Sequence, residues 1–194
     1  ICGWGILSKL LKRYKTNLVP IDSEHCSVHQ SIQGKKENSI SKITLTCSGG
    51  PFYKLSKSKF KNISLKQALK HPIWQMGQKI TIDSSTLMNK ALEIIEAKYL
   101  FNEDPDKIEA IIHPEGLIHS FVEFCDGTIL AAMAIPDMKI PISYGLSYPD
   151  IVESHTNKIN LQQLKNLSFK KIDPLKFPSI DFAYFALNHE KGMP

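Results

Sequence analysis

The sequence predicts an α+β fold, a mixed β-sheet packed with helices, and three observations carry that prediction. Short apolar runs end abruptly in polar groups, as buried strands do where they open into a crevice. A helix is readable directly after one of them, over 85–100. Asp126-Gly127 stands between two strand-like segments, the pair that a tight type I′ hairpin turn needs, so an antiparallel pair joins strands of another connectivity.

In order along the chain, residues 5–14 have helical spacing, with Ile6, Leu7, Leu10 and Leu11 on one side and Lys9, Lys12 and Arg13 opposite. Residues 17–21 form an apolar run that ends in Asp22-Ser23-Glu24, which predicts a buried strand. At 43–47, Ile43, Leu45 and Cys47 alternate with Thr44 and Thr46 before Ser48-Gly49-Gly50-Pro51, which predicts a second. A third strand is expected at 80–83, running into the helix over 85–100, and a fourth at 108–113. The hairpin spans 121–135. From 150 to 178 the sequence is polar and irregular, a connecting segment, and 179–191 reads as a helix beginning a further, helical unit.

Bulk properties narrow the function classes. With 194 residues and 42% hydrophobic content, the chain can bury one good core and is too short for two full domains. The formal charge of +5 suits an anionic small molecule as well as a nucleic acid. Cys2, Cys26, Cys47 and Cys125 lie far apart without a C-x-x-C pair, as reduced thiols in a cytoplasmic protein do. No apolar stretch approaches the ~18 residues of a membrane span, and the first residues lack a signal pattern. The chain begins at Ile1 and stops in Lys191-Gly192-Met193-Pro194, so truncation at both ends is expected.

Three segments carry chemistry. On an extended strand Asp22 and Glu24, two apart, share one face and present adjacent carboxylates, which fits either a clamp for a hard cation or an ordinary solvated strand end. Ser84 and its neighbours place hydroxyls at a helix start, where free N–H groups and the positive dipole end favour a phosphate; the alternative is a plain N-cap. Asn89 and Lys90 lie four and three residues before Glu93, so an amide, an ammonium and a carboxylate share a helix face, as a surface ion pair also would. Ser48-Gly49-Gly50 lets backbone approach a ligand closely beside a serine hydroxyl, and equally serves as a turn.

Taken together and in order, Pro20-Ile21-Asp22-Ser23-Glu24-His25, Thr46-Cys47-Ser48-Gly49-Gly50-Pro51-Phe52, His71-Pro72-Ile73-Trp74-Gln75-Met76-Gly77, residues 80–96, His113-Pro114 with His119-Ser120, and Pro136-Asp137-Met138 resemble the signature blocks of the 1-deoxy-D-xylulose-5-phosphate reductoisomerases. The resemblance implies NADPH-dependent conversion of 1-deoxy-D-xylulose 5-phosphate to 2-C-methyl-D-erythritol 4-phosphate, in non-mevalonate isoprenoid biosynthesis, by a cytoplasmic homodimer. It implies Asp22, Glu24 and Glu93 as ligands of Mg²⁺ or Mn²⁺, with Glu24, Glu93 and His71 catalytic. Ser23, Ser48, His71, Trp74, Met76, Ser84, Asn89 and Lys90 would bind substrate, Trp74 and Met76 from a mobile lid, and Gly77 and Met138 would meet NADPH. Residues 1–16 would then be a lead-in after an absent NADPH-binding domain, 17–149 the catalytic domain, 150–178 the connection, and 179–194 the start of a helical domain.

The chain departs from the family pattern in having no Gly-x-Gly-x-x-Gly, in Glu115-Gly116 after His113-Pro114 where Gln-Ser is more usual, and in Ala91 where glycine is usual. His25 and His29 are four apart, but without a zincin glutamate they are read as surface or supporting residues. The lysine-rich stretch 54–70, with Tyr53 and Phe60 interleaved, is read as a solvated face and not a nucleic-acid surface. Two other readings of the chain are a metal-dependent phosphosugar hydrolase or lyase, and a non-catalytic phosphosugar-binding or dimerisation module.

Overall fold

In a computed structural model, which describes residues 2–36 and 39–189, the chain folds around one five-stranded sheet. The helices are α1 (Trp4–Tyr14), α2 (Ser23–Ser31), α3 (Leu65–Ala68), α4 (Gln78–Ser85), α5 (Met88–Phe101), α6 (Lys139–Ser147) and α7 (Ser179–Asn188). The strands are β1 (Ile40–Cys47), β2 (Ile108–Ile112), β3 (Ile118–Phe124), β4 (Ile129–Met133) and β5 (Lys170–Lys171), in the order β4-β3-β1-β2-β5. Only β1 and β2 run parallel, so the sheet is mixed, as expected. Of the helix expected over 179–191, positions 190 and 191 lie outside the described residues, as do Ile1 and 192–194.

β1 sits centrally, and its alternation places Ile43 and Leu45, both fully buried, against the helices. The threonines on the opposite face are buried too: Thr44 donates to Glu109 Oε1 at 3.0 Å and Thr46 to the Ile118 carbonyl at 2.5 Å. That face is covered by Phe169, which stacks on His113 at 4.7 Å and meets Phe121 edge-on at 5.4 Å. The polar stretch after residue 149 thus contributes both a covering ring and the edge strand β5, paired with β2. On the other face α2 lies across β3 and β4, and α5 packs on β1 and β2. Buried Ile94, Ala97, Ile180, Ala183 and Leu187 join α5, α7 and the sheet in one core. A fully buried Ile or Leu side chain contributes roughly 1.5–3 kcal/mol.

Four local expectations are corrected. Residues 17–21 form no strand: Pro20 lacks a ladder donor, and the segment runs as an extended connection into α2, whose N-cap is Asp22. Residues 80–83 are helical, part of α4, because a four-residue apolar/polar alternation also fits one wall of a helix and Thr81 bonds back to the Gly77 carbonyl at 2.9 Å. The helix over 85–100 does not begin at Ser85; α4 ends there, and Leu87, at φ +59°, turns the chain into α5. That left-handed backbone costs a non-glycine residue roughly 1–2 kcal/mol, which burial of the Leu87 side chain, 1% exposed, offsets. Finally, of Asp126-Gly127 only Gly127 has positive φ, +84°, so the hairpin turn is not type I′. Gly127 N donates to Phe124 O, and Phe124 N to Thr128 O, both at 2.9 Å, a three-residue loop with glycine in the bulge.

Candidate functional site

The N-termini of α2 and α5 meet at the ends of β1 and β3, and the site lies there. Asp22, as N-cap, extends its backbone at φ −63°, ψ 133° but accepts no capping bond, so its carboxylate is available to other groups. Glu24 follows in the first turn of α2, and Glu93 comes one turn into α5. Asp22 and Glu24 therefore meet across a helix start and not along a strand face, which corrects the expected geometry while keeping the pairing. One oxygen from each of Asp22, Glu24 and Glu93 lies within 4.8 Å of the others. Three hard oxygen donors this close fit Mg²⁺ or Mn²⁺.

The remaining contacts show how the carboxylates are held. Lys90 Nζ donates to Glu24 Oε1 at 2.7 Å and to Glu93 Oε2 at 2.5 Å, and Asn89 Nδ2 donates to Glu93 Oε1 at 2.5 Å. Ser23 Oγ donates to Glu24 Oε2 at 2.5 Å. Burial alone would raise Glu24, but the Lys90 charge and the bonds from Lys90 and Ser23 outweigh it and hold the carboxyl at about 2. Glu93 is raised well above the ordinary range by burial and by the Glu24 charge. Asp22 is pushed up to about 7 by burial and the Glu24 charge, while its side chain keeps 42% of its surface. Burial works against the Lys90 ammonium, yet Glu24 and Glu93 raise its pKa overall.

A cavity of about 260 Å³ opens beside the carboxylates, lined by Ser48, His71, Trp74, Met76, Ser84, Asn89, Lys90 and Met138 among others. Its hydrogen bonding fixes the polarity of Ser48. Backbone N–H groups of Ile73 and Trp74 donate to His71 Nδ1 at 3.1 and 2.8 Å, so the proton of the neutral ring is on Nε2, which donates to Ser48 Oγ at 3.1 Å. Gly50 N also donates to Ser48 Oγ, at 3.1 Å. With two bonds accepted, the Ser48 hydroxyl hydrogen is left to donate into the cavity. Gly50, at φ +64°, can lie so close to α4 only without a side chain: a Cβ would stand 2.7 Å from the Ser84 carbonyl oxygen.

Ser84 is in the last turn of α4, so the favourable dipole end at this cavity belongs to α5, which presents Asn89 and Lys90 in its first turn. Lys90 itself lies on the carboxylates. The segment 71–77, without helix or strand, brings Trp74 to 6.4 Å from the His119 ring and places Met76 on the cavity wall. Gly77 is exposed just beyond it as the N-cap of α4, and Met138, 38% exposed, lies at the rim.

Of the two places expected for His25, surface or supporting, it takes the second: it is buried, and its Nε2 donates to the Glu93 carbonyl at 3.0 Å, tying α2 to α5; burial lowers its pKa to about 4. Glu96, one turn beyond Glu93, approaches His25 Nδ1 to 3.9 Å, a proximity that i,i+3 spacing from Glu93 could have suggested. His29 instead meets Tyr144 Oη at 2.7 Å, away from the carboxylates. Glu115, one of the departures from the family pattern, accepts from Ser168 Oγ and N at 2.6 and 3.1 Å and so fastens the 150–178 segment to the sheet. Nothing in the structure explains Ala91, buried in the core, beyond its small size.

Residues 18–101 match the family model described as the 1-deoxy-D-xylulose 5-phosphate reductoisomerase C-terminal domain, and residues 133–194 match a second, the DXP reductoisomerase C-terminal domain. The chain belongs to the 1-deoxy-D-xylulose 5-phosphate reductoisomerase family. It is 51% identical over 180 residues to the reductoisomerase of Desulforamulus reducens, covering 93% of this chain and 46% of that protein. The Trichlorobacter lovleyi reductoisomerase is 46% identical, at 97% and 48% coverage. A crystal structure of DOX-P reductoisomerase in complex with NADPH, fosmidomycin and magnesium superposes with a TM-score of 0.89 at 40% identity, over 96% of this chain and 48% of that one. The Zymomonas mobilis reductoisomerase in complex with NADPH gives 0.88 at 34% identity, over 95% and 48%. The chain thus spans about half the length of the reductoisomerases it matches. Among the described residues no helix is long and apolar enough to cross a membrane.

Proposed function

We propose that the chain is the metal- and substrate-binding part of an NADPH-dependent enzyme that rearranges and reduces 1-deoxy-D-xylulose 5-phosphate to 2-C-methyl-D-erythritol 4-phosphate. The carrying observation is the convergence of three carboxylates on one wall of a cavity whose other walls offer hydroxyl, amide and ammonium donors. Asp22, Glu24 and Glu93 would hold Mg²⁺ or Mn²⁺, which supplies Lewis-acid stabilisation of charge developing on the substrate's carbonyl and hydroxyl oxygens. Ser48, directed by His71 and Gly50, donates to the phosphate together with Ser84, Asn89 and Lys90. That remote binding orients the reacting carbons toward Glu24 and Glu93. Ser23 binds the substrate's backbone oxygens beside Glu24, and Trp74 and Met76 close over the substrate and exclude water. Gly77, exposed at the N-cap of α4, and Met138, at the cavity rim, meet NADPH, and His71 contributes by holding the closing segment through its Nδ1.

The reading includes a cytoplasmic homodimer in isoprenoid biosynthesis, whose assembly light scattering would report. Its direct test is calorimetric titration of the chain with 1-deoxy-D-xylulose 5-phosphate, with and without Mn²⁺, beside Asp22→Asn. Binding that requires metal and disappears in the variant is expected. Metal-independent binding, or binding unchanged in Asp22→Asn, would overturn the ligand assignment.

A further inference from the structure

We propose that Lys90 couples the metal half of the site to the anion half: its ammonium neutralises Glu24 and Glu93, and a divalent cation taking those oxygens releases it to the anion. The inference rests on the site reading above and goes beyond it, because it makes anion affinity depend on the metal through one side chain.

The geometry poses the problem. Lys90 Nζ lies 2.7 Å from Glu24 Oε1 and 2.5 Å from Glu93 Oε2, on two of the three carboxylates that would ligate the cation. Its side chain is 4% exposed, so water does not satisfy the ammonium, and the carboxylates do. A divalent ion held by those carboxylates would repel Nζ at close range and draw on the same carboxylate charge. Lys90 then has to yield at least one of its two ion pairs.

A buried ammonium that loses its partners is costly unless it finds another acceptor. The flexible lysine stem allows a move that a guanidinium fork would resist, and Lys90 lines the same cavity as Ser48, Ser84 and Asn89. These three offer hydroxyls and an amide, and none brings a second full negative charge to replace a lost carboxylate. A phosphate in the cavity supplies it. Metal binding therefore creates an ammonium in need of an anion, and by linkage the anion strengthens metal binding by the same factor. This also accounts for a lysine expected to bind phosphate lying on carboxylates.

The experiment uses the 194-residue chain and its Lys90→Met variant, with Mg²⁺ and inorganic phosphate as probes in calorimetry. In the parent chain, saturating Mg²⁺ is expected to tighten phosphate binding by about 5- to 150-fold, with the reciprocal effect on Mg²⁺. In Lys90→Met, Mg²⁺ is expected to bind at least as tightly as in the parent, its internal competitor gone, while the coupling falls at least about fivefold. Coupling that persists in the variant would show direct metal–anion attraction and overturn the proposal. Should the variant fail to fold by circular dichroism, pulse acylation of the parent chain decides: Lys90 labelling read by mass spectrometry should rise with Mg²⁺ alone and fall when phosphate is added. Labelling indifferent to Mg²⁺ sinks the idea. Mg²⁺ binding that is lost in Asp22→Asn but leaves phosphate affinity unchanged refutes the Lys90 coupling and leaves the metal site standing. No Mg²⁺ binding at all refutes the site itself.

Discussion

Replacing Gly50 by alanine tests the closest backbone approach in the site. Gly50 has φ +64°, and an added Cβ would stand 2.7 Å from the Ser84 carbonyl oxygen, 3.2 Å from Ser85 Cα and 3.3 Å from the Ser84 carbonyl carbon. All three neighbours are backbone atoms at the end of α4, so no rotamer change relieves the contact. The left-handed backbone costs alanine roughly 1–2 kcal/mol, and forcing a methyl into a packed contact adds roughly 1–3 kcal/mol. Gly34 and Gly127 provide controls: their φ values are +71° and +84°, and nothing lies within 4 Å of an added Cβ. Gly34→Ala and Gly127→Ala should therefore lose only the backbone part, about 1–2 kcal/mol. Urea unfolding at fixed pH measures the difference, with the midpoint of Gly50→Ala falling furthest below the parent. Gly50→Ala should also weaken phosphate binding, because the displaced α4 end carries Ser84 and because Gly50 N holds Ser48. Equal losses in all three variants would refute the close approach and, with it, the account of how Ser48 and Ser84 are brought together.

Other perturbations follow from the same geometry. Ser48→Ala removes a hydroxyl proton directed into the cavity; a hydrogen bond to a charged group contributes roughly 1.5–3 kcal/mol, so phosphate affinity should fall by more than about tenfold with little change in melting temperature. Ile94→Ala, at a fully buried core position, should destabilise by about 2–5 kcal/mol in denaturant titration. At pH 8 an alkylating reagent should modify exposed Cys2 and Cys125 first, as peptide mass spectrometry would show. Cys47 should resist, because burial pushes its thiol up to about 11 and leaves about one molecule in a thousand as thiolate. His71 titrates below its ordinary value because it is partly buried, so the unfolded chain takes up its proton first as pH falls. Its stabilising contribution is complete above the usual histidine pKa and is lost on acidification through the lower, folded value. His71→Gln should flatten that part of the stability–pH curve, and an unchanged curve would rule His71 out as its source.

The sequence by itself determined the mixed sheet, because alternation in 43–47 and the apolar run at 108–113 are strand patterns that little else satisfies. It also determined the shared face of Asn89, Lys90 and Glu93, since helical spacing is a local property and all three lie in α5. The ordered blocks pointed to the family. What it could not determine was how short segments resolve between alternatives of similar local energy. Residues 17–21 and 80–83 pattern like strands, yet among the described residues no neighbouring strand takes their backbone groups, and they become a connection and a helix. The turn at Leu87 is unreadable locally, because a leucine at positive φ is unfavourable until its side chain is buried in a core assembled from residues as distant as α7. The convergence of Asp22 and Glu24 with Glu93, about 70 residues away, likewise belongs to tertiary structure. It exists because α2 packs on β3 and β4 and α5 on β1 and β2, with buried His25 of α2 donating to the Glu93 carbonyl of α5, and no local pattern encodes that contact.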